Sequence, residues 1–306
     1  MNIKSMKAIP DDSARPRRIL VPVDFSDPSR RALRAAVALA QQFASRLTVV
    51  HVTRRNRPDS HIVAEQMGIT FDTRRAGRVK LSEFIDPEEV GDLQPARLVV
   101  DGVPFDEITK AARAWEADLI VIATHGYTGL KHVLLGSTAE RVVRHAPCPV
   151  LVVRNCEKRG EKTLFSPHKM RSILVPVDFS KPSLDAVKHA LALARKYEAR
   201  ITLLHVIVPL HADLLIDITK SQHDARVAAH ERLTGLGDAT KKAWPGTGRE
   251  LRNGHPVTTI TALAKRINAD LIVMGTHGRT GLKRALIGSV AEGVVQRASC
   301  PVLVVR

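Results

Sequence analysis

Apolar residues follow two patterns along this chain. Short continuous apolar runs, as in Leu119–Ile122, are typical of strands buried in a parallel sheet. Longer stretches in which apolar residues recur at helical spacing, such as Leu33, Val37 and Ala40, indicate amphipathic helices. In the first half the patterns predict strands over 18–24, 47–52, 97–101, 119–124 and 150–154. They predict helices over 27–44, 75–85, 104–115 and 137–145.

The same order of elements returns in the second half. The strands are predicted over 172–178, 201–206, 249–253, 271–276 and 302–306. The helices are predicted over 182–197, 222–242, 256–267 and 289–298. Strands that alternate with helices form parallel sheets with right-handed crossovers. We therefore expect an α/β fold with two tandem open five-stranded parallel sheets and helices on both faces of each sheet.

The two halves repeat each other in sequence as well as in pattern. Ile19–Ser26 returns letter for letter as Ile173–Ser180, and residues 118–137 return with substitutions as 270–289. The offset is 154 residues early and 152 late, so a two-residue length difference lies between positions 52 and 102. We expect a lead-in over 1–17, one domain over 18–155, a linker over 156–170 and a second domain over 171–306.

Composition and charge narrow the class of protein. The net charge of +16 favours an anionic partner, but the basic residues are scattered and aromatic residues make up only 4%. A single-strand nucleic-acid binder needs aromatic stacking platforms, so this class is disfavoured. The chain shows no signal-peptide pattern and no membrane span. Cys148, Cys156 and Cys300 form no C-x-x-C motif, which favours packed thiols in a reducing cytoplasm.

A glycine-rich segment follows the fourth strand of each half. In the second half Gly275, Gly278 and Gly281 are spaced three apart among basic residues, and Gly288-Ser289 begins the next helix. Glycine backbone, positive charge and a helix N-terminus together suit a phosphate group. In the first half Ala123 stands at the position of Gly275.

These residues resemble the tandem universal stress proteins, whose nucleotide-binding members carry G-x-x-G, nine further residues, and G-S or G-T. Gly275, Gly278, Gly288 and Ser289 match this motif in full, whereas the first half replaces its first glycine. The resemblance implies a strand order of 3-2-1-4-5 and ATP as ligand. Mg²⁺ or Mn²⁺ would be carried only by the phosphates, because no histidine or carboxylate cluster has metal-ligand spacing.

The resemblance also implies which side chains contact the nucleotide. The Pro-x-Asp that ends strand one would lie beside adenine, and the valine of the His-Val in strand two would line the adenine and ribose pocket. In the second half the expected residues are Pro176, Val177, Asp178, Val206, Met274, Gly275, His277, Gly278, Arg279, Gly288, Ser289 and Val290. In the first half they are Pro22, Val23, Asp24, Val52, Ile122, Ala123, Gly126, Gly136, Ser137 and Thr138.

Several of these residues have a purely structural alternative. Asp24 and Asp178 could cap the helix that follows them. The glycines could serve turns, and His51 and His205 are interpreted as structural. Pro22 near the end of strand one is acceptable if the neighbouring strands diverge there. If Ala123 has a positive φ, its Cβ costs about 1–2 kcal/mol; with ordinary backbone, the site can survive.

The sequence contains no catalytic signature. It lacks the P-loop and G-x-G-x-x-G motifs, and no general base is evident beside a nucleophile. We therefore expect no enzyme, but a cytoplasmic ATP-binding regulatory protein of the stress response that acts on an unknown protein partner. A ligand-free interaction scaffold and a slow ATPase stay open as alternatives. In the resembling family two domains pair through their last strands, so an intramolecular domain pair is expected, and two chains could pair further as a homodimer.

Overall fold

The computed structural model describes residues 15–53, 73–124, 136–154, 156–158, 161–163, 167–209, 218–276 and 288–306. The chain divides into two compact units. The first unit is Pro16–Val153, and residues from Arg154 to Arg306 make up most of the second.

The first unit contains five parallel strands with helices between them. The strands are β1 (Arg18–Val23), β2 (Arg46–Thr53), β3 (Ala96–Asp101), β4 (Leu119–Ala123) and β5 (Val150–Val153). The helices are α1 (Asp27–Phe43), α2 (Thr73–Phe84), α3 (Pro87–Val90), α4 (Pro104–Ala114) and α5 (Ser137–His145). The strands lie in the order β3-β2-β1-β4-β5, which confirms the predicted order for this half.

Part of the segment expected to be a linker is structured. Strands β6 (Cys156–Lys158) and β7 (Glu161–Thr163) pair antiparallel, and a turn of 3₁₀ helix follows at Pro167–Lys169. We predicted neither element, because strands of three residues are too short to show a hydrophobic period.

The second unit repeats the architecture of the first. Its strands are β8 (Ser172–Pro176), β9 (Arg200–Ile207), β10 (Thr247–Asn253), β11 (Leu271–Gly275) and β12 (Val302–Val305). Its helices are α6 (Lys181–Tyr197), α7 (Ile218–Ala243), α8 (Pro256–Arg266) and α9 (Ser289–Arg297). The order β10-β9-β8-β11-β12 again corresponds to 3-2-1-4-5, so the α/β prediction is confirmed in both units.

The two units differ in the helix before their third strand. In the second unit α7 is continuous over 26 residues, whereas the first unit has α2 and the unpredicted four-residue helix α3. Pro87 lies at the start of α3, where the second half has Ala239. Proline lacks the N–H that an α-helix requires in its interior, so the helix ends and restarts there. Asp86 caps the restart by accepting a hydrogen bond from Glu88 N–H.

The core of each unit lies on both faces of its central strands. Leu20, Val21, Leu174 and Val175 are completely buried in β1 and β8. Such strands are covered by helices on both sides, which explains why they are continuous apolar runs rather than alternating ones. Cys148 and Cys300 are buried too, as expected for packed thiols.

Each sheet opens at the point where its strand order reverses. Strand β1 pairs with β4 only at Ile19 and Leu20, and β8 pairs with β11 only at Ile173 and Leu174. Beyond these residues the central strands separate towards their carboxyl ends. This is the crevice in which open α/β sheets bind ligands.

The strand prolines fit this divergence. Asp270 N–H donates to Ser172 O at 2.8 Å, towards β11, and Val177 N–H donates to Leu204 O at 2.7 Å, towards β9. Successive residues of a strand bond in opposite directions, so the nitrogen of Pro176 faces β11, past the last paired residue. The missing N–H of Pro176 therefore leaves no ladder bond broken, and Pro22 occupies the same position in β1.

Candidate functional site

The crevice of the first unit is a cavity of about 590 Å³. This volume lies within the range of roughly 300–1,000 Å³ typical of small-molecule sites. Of the ten residues expected to contact nucleotide in this half, the nine that the structure describes all line the cavity: Pro22, Val23, Asp24, Val52, Ile122, Ala123, Gly136, Ser137 and Thr138. The fold thus brings together residues from β1, β2, β4 and α5 that are far apart in sequence.

Four of the expected residues, namely Gly126, His277, Gly278 and Arg279, lie outside the described residues. The residues on either side of the glycine-rich segment are nevertheless described in both units. Gly136 N–H donates to Thr124 O at 2.7 Å, and Gly288 N–H donates to Thr276 O at 2.7 Å. Each bond places the start of the next helix beside the end of the fourth strand.

Helices α5 and α9 begin in a way that suits an anion. Their N-cap residues are Gly136 and Gly288, so neither helix has an N-cap side chain that bonds its first amides. The first turn of an α-helix presents N–H groups without intrahelical partners, together with the positive end of the helix dipole. In the first unit Ser137 and Thr138 of this turn face the cavity.

Asp24 and Asp178 fix the turn after strand one. Ser26 N–H donates to Asp24 Oδ1 at 3.2 Å, and Ser180 N–H donates to Asp178 Oδ1 at 3.1 Å. The serines, not the aspartates, cap α1 and α6 through their own side chains. Capping by the aspartates themselves, the structural alternative, is therefore wrong, and Asp24 has its place in the cavity wall.

The residue after each aspartate is a phenylalanine in a left-handed conformation. Phe25 has φ 66° and Phe179 has φ 65°, a conformation that costs a non-glycine residue about 1–2 kcal/mol. Sequence analysis missed this turn, although its sequence is identical in both halves. The rings of Phe25 and Phe179 contact those of His51 and His205, with centroids 4.2 and 4.7 Å apart.

The two histidines support this turn. His51 Nδ1 lies 2.8 Å from Val23 O, and His205 Nδ1 lies 2.7 Å from Val177 O. A carbonyl oxygen can only accept, so Nδ1 of each ring carries the proton. Burial lowers the pKa of His51, which keeps its ring neutral near pH 7. These contacts agree with the structural interpretation of both histidines.

Helix α2 supplies a wall of the cavity that sequence analysis did not identify. Thr73, Ala76, Gly77 and Lys80 all line it, and their spacing of i, i+3, i+4 and i+7 defines one face of a helix. A Cβ on Gly77 would lie 2.9 Å from Val99 Cγ1, so glycine allows α2 to approach β3 closely. The helical spacing was the available signal, but polar residues in the segment obscured it.

Ala123 and its counterpart Gly275 have ordinary backbone conformations, since neither has a positive φ. A Cβ built on Gly275 would lie 2.8 Å from the backbone carbon of Pro182 and 2.9 Å from Ser183 N. Glycine is thus needed in the second unit because β11 packs against the start of α6. The possibility that Ala123 strains the backbone is excluded.

No group of three or more metal-binding side chains occurs among the described residues. In the same part of the chain, no helix is both long and apolar enough to cross a membrane.

Comparison with known proteins identifies relatives for both halves. The model of the family described as the Universal stress protein family matches residues 16–154 and again 169–306. Universal stress protein MJ0531 of Methanocaldococcus jannaschii is 36% identical over 145 residues, which cover 44% of this chain and 82% of that protein. Universal stress protein Rv2005c of Mycobacterium tuberculosis is 29% identical over 195 residues, and the match spans only 62% of its length.

A solved structure agrees with the fold of nearly the whole chain. A universal stress protein from Archaeoglobus fulgidus superposes with a TM-score of 0.62 over 95% of this chain and 98% of that one, at 22% identity. At this identity the likeness supports the fold alone.

Proposed function

This chain belongs to the universal stress protein family, with two copies of the family domain, and we propose that it is an ATP-binding regulatory protein. The observation that carries the proposal is the cavity of the first unit. It lies at the switch point of the sheet, and every described residue expected to contact nucleotide in that half lines it.

The cavity offers a suitable environment for each part of an adenine nucleotide. Val23, Val52 and Ile122 provide apolar walls for the base and ribose, and the carboxylate of Asp24 could accept from the adenine amine or a ribose hydroxyl. The open first turn of α5 would bind phosphate oxygens. Lys80, on the α2 side, adds a positive charge that the phosphates would attract.

Any divalent cation would enter with the nucleotide. In the described part of the chain no cluster of histidine, cysteine and carboxylate side chains could hold a metal on its own. Mg²⁺ binds through phosphates and a small number of protein oxygens at many nucleotide sites, so Mg-ATP is the form we propose.

We further propose that the chain binds ATP without strong hydrolysis. His51 is directed at the backbone of Val23, and Asp24 is bonded to Ser26. Asp24 Oδ1 also accepts from the Ser26 hydroxyl, but that hydroxyl accepts from Ser29 N–H as the cap of α1 and does not line the cavity. We therefore assign the pair to the turn and not to general-base catalysis. Nucleotide binding would instead change the surface around the glycine segment, which an unknown cytoplasmic protein partner would recognise.

The test is calorimetric titration of Mg-ATP into nucleotide-free protein and two matched variants, Ser137→Asp and Ser289→Asp. Aspartate at the first helical position favours the helix but repels phosphate. We expect about two equivalents of ATP to bind the wild type, and each variant to lose one site. Ser137→Thr and Ser289→Thr are controls that keep the hydroxyl and should bind as the wild type does.

Absence of heat at millimolar ATP, in protein that also purifies without nucleotide, would contradict the proposal and leave the interaction scaffold. Phosphate release above a blank without protein, lost only when Ser137→Asp and Ser289→Asp are combined, would instead show that the sites hydrolyse ATP.

A further inference from the structure

The first unit has another cavity at the opposite, amino-terminal edge of its sheet. This amino-end cavity of about 550 Å³ lies between the starts of β1, β2 and β3 and the end of α4. Leu20, Leu47 and Ala96 contribute to its apolar lining, and Arg18 and Arg46 contribute positive charge. None of the residues that line it also lines the proposed ATP site.

The second unit fills the equivalent place with a tryptophan. Trp244 Nε1 donates to Ala199 O at 2.8 Å. The indole also lies against Gly246, where a Cβ would come within 2.8 Å of Nε1. By the repeat offsets, Ala199 and Gly246 correspond to Ser45 and Gln94, and both of these line the amino-end cavity.

In the first unit, the residue at the position of Trp244 does not fill this place. Asp92 stands where the second unit has Trp244, and it is exposed at the cavity. Trp115 also lines the cavity and is 43% exposed. The chain has two tryptophans, so one fills this place in the second unit and the other borders the open one in the first.

We propose that the amino-end cavity binds a planar aromatic molecule of about the size of an indole, bearing a carboxylate or other anionic substituent. The ring would occupy the place that the Trp244 indole takes in the second unit. Apolar lining and an aromatic neighbour favour a flat ring. The anionic group would pair with Arg46, which makes no ion pair with another described residue, whereas Arg18 pairs with Glu116 at 2.7 Å. The carboxylate of Asp92, exposed at the cavity, opposes this attraction in part.

The probe is indole-3-carboxylate, titrated calorimetrically into the full chain. We expect one equivalent to bind the wild type. The double variant Asp92→Trp/Gln94→Gly transplants the filler of the second unit into the first, and should weaken binding at least ten-fold. Its matched control, Asp92→Asn/Gln94→Gly, removes the Asp92 charge and the Gln94 side chain without adding an indole. It should bind the anionic probe at least as tightly as the wild type does.

The reverse change gives a result that does not depend on how well the transplant folds. Trp244→Ala removes the indole and should create a second site, raising the stoichiometry from about one to about two. Binding with the same affinity in Asp92→Trp/Gln94→Gly would overturn the proposal, as would an absence of binding to the wild type at millimolar probe. ATP should change none of these results, which separates this site from the proposed nucleotide site.

Discussion

The two units share the turn after strand one residue for residue, yet they differ where their fourth strand ends. The first unit has Ala123, which is buried without a positive φ, and the second has Gly275 packed against Pro182 and Ser183. In this protein, Gly275 of the motif therefore serves close packing of strand β11 against helix α6. A match to a phosphate-loop pattern therefore does not by itself make each glycine a ligand contact.

The largest expected effect tests whether the two cores are equivalent. Leu20 and Leu174 occupy the same repeat position and are completely buried. We expect Leu20→Ala and Leu174→Ala each to lower the free energy of unfolding by about 2–5 kcal/mol, because each leaves a cavity in a packed core. Hydrogen exchange followed by mass spectrometry should show faster exchange mainly in the unit that carries the change. Equal acceleration in both units would show that they unfold as one.

The second-largest effect is expected on the stability of each unit, from the residue that ends its fourth strand. Gly275→Ala should destabilise the second unit by about 1–3 kcal/mol, because the new methyl group meets the backbone of α6. Ala123→Gly should cost about 1–2 kcal/mol through lost burial and added backbone freedom in the unfolded chain. Thermal unfolding measures both. A neutral Gly275→Ala would contradict the assignment of this glycine to packing.

A smaller effect is expected on ATP affinity, from the basic residue that α2 contributes to the cavity wall of the first unit. With the repeat offset of 152 residues, Lys80 corresponds to Arg232. The guanidinium of Arg232 lies 4.5 Å from the centroid of the Phe179 ring. If ATP binds as proposed, Lys80→Ala should weaken the first site about 3–10-fold at low salt, because an exposed charge contributes on the order of 1 kcal/mol. Lys80→Arg is the control that retains the charge. An affinity that does not change with Lys80→Ala would place the phosphates away from α2.

The smallest effect is the pH dependence of stability. Burial lowers the pKa of His51 below 6.5, while the hydrogen bond to Val23 and the charge of Asp24 oppose the shift. The folded state therefore binds fewer protons than the unfolded one. The stabilisation from neutral His51 is fully present above about pH 6.5 and is lost as pH falls through the folded pKa.

The pH comparison uses one histidine in each unit. The pKa of His189 in α6 is also lowered by burial. We expect the unfolding temperature of the first unit to fall less between pH 7 and pH 5 in His51→Gln than in the wild type. His189→Gln should do the same for the second unit only. An unchanged pH profile in His51→Gln would show that this ring does not titrate with folding.

Much of the fold could be predicted because most of its strands and helices occur twice in the sequence, once in each half. Strands such as β4 and β11 are unbroken apolar runs between polar segments, and a parallel sheet covered on both faces produces that pattern. Helix α3 was missed because it has only four residues, and strands β6 and β7 were missed because each has only three. Elements of that length carry no measurable periodicity.

The sequence determined the repeat, the order of the main strands and helices and, through the family resemblance, nine of the residues that line the crevice of the first unit. These follow from local hydrophobic period and from motifs whose positions at strand ends are set by topology. Only the tertiary structure decided that α2 contributes Lys80 to the cavity, that Gly275 serves packing, and that Trp244 fills a space left open in the first unit. Such outcomes depend on distances between residues far apart in the chain, and a few tenths of an ångström between packed atoms decide them.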